Sequence, residues 1–134
     1  MEAVNDTKHA MAGRPRRRIY DVLAVSSTVH KANADYLAGI LRYASGRQDW
    51  RLWLFNPLAD YSYGNVLPAR RASGVIANDR IAKVAADICR VSGIRVPQEI
   101  AILGVDDEEM VCNFTSPTLS SVRPAFEAGG YMAA

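Results

Sequence analysis

The segment IYDVLAVSS, residues 19 to 27, is a near-continuous β-branched and aliphatic run of strand length, broken by one acid, Asp21. A run that is apolar at both parities suits a strand covered on both faces, the usual situation in a parallel sheet. This constrains the whole chain, because parallel neighbours cannot be joined by a hairpin and need a crossover, usually a helix. The next segment, NADYLAGILRYASG, places Tyr36, Leu37, Ile40, Leu41 and Ala44 on one helical face. Asn33 is the expected N-cap, and Gly46 stands just past the end. WRLWLFN (50 to 56) then reads as a second strand, since Trp, Leu and Phe favour a pleated, half-buried surface. Together these make one βαβ unit.

PLADYSYGNVLPARRAS (57 to 73) is broken by Pro57, Gly64 and Pro68 and is expected to hold one short helix. GVIA (74 to 77) reads as a short buried strand. NDRIAKVAADICRVSG follows, with Ile81, Val84, Ala85, Ile88 and Val91 at helical spacing, Asn78 or Asp79 as cap and Gly93 as terminator. IRVPQEIAILGVDD supplies a loop and a strand at about 100 to 106, TSPTLSSVRP one more short strand, and AFEAGGYMAA the start of a helix. The order predicts an α/β fold: a doubly wound, mainly parallel sheet of flavodoxin-like form with helices on both faces.

Composition narrows the function classes. Of 134 residues, 49% are hydrophobic and 22% charged, the balance of a globular chain and too apolar for disorder. The net charge of +2 is local, because KHAMAGRPRRR alone holds five Lys and Arg, which argues against a wholly basic nucleic-acid surface. Residues 1–18 read as a flexible basic tail, and 19–134 as the folded part. Cys89 and Cys112 sit in unrelated contexts, with no second pair and no histidine set, so neither a disulfide framework nor a metal site is expected. No apolar run approaches the roughly 18 residues of a membrane span. A cytoplasmic protein with no membrane partner and no cofactor is the expectation.

In open α/β sheets, ligands bind beyond the carboxyl ends of the strands. Three groups fall there: Ser26, Ser27 and Thr28 after the first strand, Asn78 and Asp79 after GVIA, and Asp106 and Asp107 after AILGV. A carboxylate accepts hydrogen bonds from neighbouring hydroxyls, and an Asn amide both donates and accepts, a combination suited to a sugar. Tyr61, Tyr63 or Trp53 could add a stacking face. Each group also has a plainer explanation. Asp106, Asp107, Glu108 and Glu109 suit the start of a helical turn as negative charges, and Asn78 and Asp79 suit helix caps.

GIRVPQEIAILGVDDEE and SPTLSSVRPAFEAGGYMAA resemble the closing signatures of the sugar-binding domain of the lac repressor family. GVIANDRIAKVAADIC resembles the segment that opens that domain's preceding helix. The three occur in the expected order over residues 74–134. The stretch from Arg16 to Asn56 looks more like the xylose-operon regulators, whose sensor is similar but whose DNA-binding part lies at the C-terminus. The resemblance implies a periplasmic-binding-protein-like lobe that senses a pentose or hexose as effector, with Asn78 and Asp106 as sugar contacts and the loop carrying Ser27 closing over it. By the same resemblance Asp79 caps its helix and Asp107 orients Asp106 or the hinge.

The family's sensor has two lobes. Here residues 19–73 resemble the start of the first and 74–134 the end of the second, so the expectation is a shortened chain, with DNA touched only through a domain absent from it. Exposed apolar faces are then expected to favour a homodimer. Three other classes fit less well. A phosphoacceptor module would need a Lys after a late strand, and LSSVRP offers none. An enzyme is not expected, since the chain has no nucleophile elbow, no phosphate-binding glycine loop and only two histidines. A periplasmic sugar-binding protein shares the fold but would need a secretory leader.

Overall fold

The structure, a computed structural model, describes residues 16–27, 31–57, 72–125 and 132. Five strands form one sheet: β1 (Tyr20–Val25), β2 (Trp50–Phe55), β3 (Gly74–Asn78), β4 (Ala101–Val105) and β5 (Ser120–Val122). Three helices are described: α1 (Lys31–Ser45), α2 (Asp79–Val91) and the short α3 (Glu109–Asn113). The strand order is β2-β1-β3-β4-β5 and every pairing is parallel. The doubly wound α/β expectation therefore holds. The short helix expected within 57 to 73 and the closing helix at 125 to 134 fall almost wholly outside the described residues.

Register divides the strands into two faces, because successive side chains alternate. On one face Leu23, Val75 and Ile102 are in register, followed by Val25, Ala77 and Gly104. These pack with Ala82, Ala85, Ala86 and Cys89 of α2 into the core. Small side chains at this helical spacing let α2 lie close on the sheet. That corrects the expected helix face: Ala85 is buried as read and Ile81 and Ile88 pack at the margin, but Val84 is 44% and Val91 80% exposed. The stripe is rotated toward the alanines, with the branched Ile81 and Ile88 at its margins.

The other face is less well covered. Val22 and Ala24 are buried, whereas Leu54, Leu103 and Val122 remain exposed, and an apolar cleft of about 510 Å³ runs past Tyr20, Trp50 and Leu103. Helix α1 buries none of its described residues fully; Tyr36, Leu37, Ile40 and Ala44 are half-buried and Leu41 is 43% exposed. Its seat on the sheet includes an edge-on contact of Tyr43 with Trp50, centroids 5.1 Å apart. Asn33 is not its cap. The helix is already formed at Lys31, which places Asn33 inside the first turn.

Asp21, which interrupts the first apolar run, stands in register with Arg51. Its carboxylate accepts from the Arg51 guanidinium (Nη2 at 2.8 Å) and from Trp53 Nε1 at 3.0 Å. Trp53 is thereby fixed on the core face, away from the carboxyl ends, so it supplies no stacking surface there. Tyr61 and Tyr63 lie outside the described residues.

Candidate functional site

From β1 the chain crosses to β2 on one side, and from β3 it crosses to β4 on the other. Beyond the carboxyl ends of β1 and β3 the crossovers diverge, and a crevice opens at this switch point. A cleft of about 140 Å³ lies there, and Ser26, Ser27, Asn33, Tyr36, Asn78 and Asp106 are among the residues that line it. Three of the residues singled out from the sequence, Ser27, Asn78 and Asp106, thus meet in one place. Asp107 does not join them: its carboxylate turns to Arg123 Nε at 2.6 Å.

Asn78 is both the last residue of β3 and the N-cap of α2, its Oδ1 accepting from the Ile81 N–H at 2.9 Å. The bond uses one lone pair of the amide oxygen, and the amide NH₂ remains a donor at this cleft-lining residue.

Asp79 corrects the sequence reading, since it is not the cap. Its side chain is fully buried and accepts from the Glu108 N–H (2.6 Å), the Ser121 hydroxyl (2.5 Å) and the Cys112 thiol (3.5 Å). One carboxylate at the first turn of α2 therefore ties that helix to the loop after β4, to α3 and to β5. The helix dipole adds to the three donors in holding a buried negative charge. Burial and this carboxylate push the Cys112 thiol up.

The loop after β4 has an unusual backbone, with φ of 119° at Asp106 and 56° at Asp107. Non-glycine residues in this region cost on the order of 1–3 kcal/mol each and persist where their surroundings hold them. Here three successive N–H groups are held: Asp106 donates to the Val122 carbonyl at 3.1 Å, Asp107 to Ser121 Oγ at 3.0 Å, and Glu108 to Asp79. The outcome is an Asp106 carboxylate on the cleft wall that accepts no hydrogen bond among the described residues. Desolvation, with Asp79 and Glu108 nearby, raises it above the usual carboxylate range.

Sequence reasoning missed Tyr36 as a cleft residue, reading it as part of an apolar helix face. Its hydroxyl is buried and has no hydrogen-bond partner among the described residues. Burial, then the Asp106 charge, pushes the phenol up to about 12. A usable signal existed, since Asn33 and Tyr36 stand three apart on one side of α1, directly after the strand-end serines. Among the described residues no group of three His, Cys, Asp or Glu side chains could hold a metal ion, and no helix is long and apolar enough to cross a membrane.

A family model described as a periplasmic binding protein-like domain matches residues 4–134. The chain belongs to this family. Its relatives include the xylose operon regulatory protein of Haemophilus influenzae, 36% identical over 63 residues, which are 46% of this chain and 16% of that protein. Among solved structures, a periplasmic binding protein/LacI transcriptional regulator from Alkaliphilus metalliredigens complexed with D-xylulofuranose superposes with a TM-score of 0.65 at 19% identity, over 85% of this chain and 46% of that one. A dimeric lac repressor with a C-terminal deletion gives 0.69 at 19% identity, over 87% and 45%. The lac repressor resemblance read from the closing signatures agrees with these matches. This periplasmic binding protein-like chain spans about half the length of the solved structures it matches.

Proposed function

We propose that this chain is the sugar-sensing part of a bacterial transcription regulator. It binds a pentose or hexose as effector, works in the cytoplasm and catalyses no reaction. The observation that carries the reading is the cleft at the switch point, where Asn78, Ser27 and Asp106 face one small volume. At about 140 Å³ the cleft is smaller than the roughly 300 Å³ at which pockets for drug-sized ligands begin, which suits a single monosaccharide. The relatives named above, one a xylose operon regulator and one complexed with D-xylulofuranose, point to pentoses first.

In this reading residues 1–18 are a basic tail, and 19–73, which resemble the opening of a first lobe, and 74–134, which resemble the close of a second, share one sheet. A homodimer belongs to the same reading, supported by the exposed apolar row of Leu54, Leu103 and Val122 on one sheet face. Calorimetric titration with D-xylose, D-xylulose, D-ribose and D-glucose tests the function. Saturable heat with one of them at millimolar concentration or below is expected; silence from all of them at that concentration overturns the reading.

A further inference from the structure

We propose that the switch-point cleft takes an uncharged polyhydroxyl ligand and rejects its phosphorylated and carboxylated forms, with one ligand hydroxyl seated against both Tyr36 Oη and the Asp106 carboxylate. The inference rests on the function proposed above and deepens it to a ligand class.

The charge of the wall carries the first half. Asp106 is the charged group among the described lining residues, and none of those residues is a cation. Among the described residues, the cations nearby in sequence each stand beside an acid on the surface. Lys31 stands 3.6 Å from Asp35, Arg80 lies 3.2 Å from Glu108, and Arg123 pairs with Asp107 at 2.6 Å. A site for phosphate or carboxylate presents Arg, Lys or a set of free backbone N–H groups. Here the successive N–H groups of the Asp106 loop point away, to β5 and to Asp79. An anion would meet an unneutralised carboxylate instead.

The second half comes from two unmet hydrogen-bonding groups on opposite elements. Tyr36 brings a buried hydroxyl without a partner from α1, and Asp106 brings a carboxylate that accepts no hydrogen bond from the loop after β4. Burying the Tyr36 hydroxyl unpaired is costly, so it marks a place where a ligand completes the bonding, while Asp106, an exposed residue, offers its acceptors at the mouth of the same cleft. A sugar hydroxyl satisfies both at once, donating its proton to Asp106 and accepting from the Tyr36 O–H. The phenol stays protonated and able to donate at neutral pH. The Asn78 amide NH₂ adds a further donor on the β3 side.

Matched pairs test the class: D-xylulose against D-xylulose 5-phosphate, and D-xylose against D-xylonate, by calorimetric titration of the whole chain. The neutral member of a pair is expected to bind on the order of 10- to 100-fold more tightly, the upper figure being that of two like charges about 6 Å apart at an effective dielectric near 20. Asp106→Asn is expected to weaken the neutral sugar and to narrow the gap to the anion. Tyr36→Phe separates a ligand role from a structural one. It removes a hydroxyl that nothing in the free protein bonds, so its Tm should be unchanged or higher while the affinity for the neutral sugar falls about 10-fold or more. Equal binding of neutral and anionic members overturns this inference and leaves the proposed function standing. An unchanged affinity in Tyr36→Phe overturns the shared seat. No heat from any probe removes the proposed function, and the ligand class with it.

Discussion

Asp79→Ala should lower the unfolding free energy by about 3 kcal/mol, the cost of leaving one buried and two part-buried donors without an acceptor at about 1 kcal/mol each or somewhat more. Those donors are the Glu108 N–H, the Ser121 hydroxyl and the Cys112 thiol, all on one fully buried carboxylate. For a small domain this is a large part of the total stability, which is on the order of 5–15 kcal/mol. The loss extends beyond packing, because Glu108 and Ser121 also pin the turn that holds Asp106. Urea unfolding followed by circular dichroism measures it. Asp79→Asn should fall between the two, keeping the shape but exchanging an acceptor pair for one acceptor and one donor. A loss below about 1 kcal/mol in Asp79→Ala would show that the network is not anchoring the fold.

Gly104→Ala should be as damaging, at about 3 kcal/mol, from a change of one methyl group. A β-carbon built at Gly104 lies 2.0 Å from Asp79 Oδ1 and 3.1 Å from Leu119 Cδ2, so the carboxylate occupies the space a side chain would need. Asp79 cannot retreat without giving up its donors. The two substitutions should therefore be strongly non-additive. With alanine at 79 the oxygen is gone, and Gly104→Ala should then cost less than about 1 kcal/mol, a coupling on the order of 2 kcal/mol. Additivity within about 0.5 kcal/mol in the double-mutant cycle would overturn the steric account.

Much of this was legible in the chain. The parallel sheet follows from apolar runs too continuous for a half-exposed strand, and the strand ends placed Ser27, Asn78 and Asp106 on the side where the cleft opens. What was not legible depends on contacts between distant segments. Asn and Asp are equally good caps, so nothing local says which of Asn78 and Asp79 bonds the helix. The choice is made by Ser121, 42 residues away, which claims Asp79. The stripe of α2 faces the sheet with its alanines and leaves Val84 outside, a choice among apolar residues that a helical period does not make. Tyr36 read as an apolar-face residue because the side-chain period does not tell where a hydroxyl ends up. The five-residue α3 was folded into the acidic run after β4, too short to show a period of its own.

The two long helices are held to very different depths. Helix α2 buries five residues and shares a charged anchor with three other segments, whereas α1 buries none fully. Stability is therefore unevenly distributed along the chain, with α1 able to open at a small part of the free energy that unfolds the sheet. The residues that α1 brings to the cleft, Asn33 and Tyr36, ride on the less deeply held of the two. A bound molecule gripping both would convert the looser helix into a fastened one, so occupancy of the cleft and the ordering of α1 become one equilibrium.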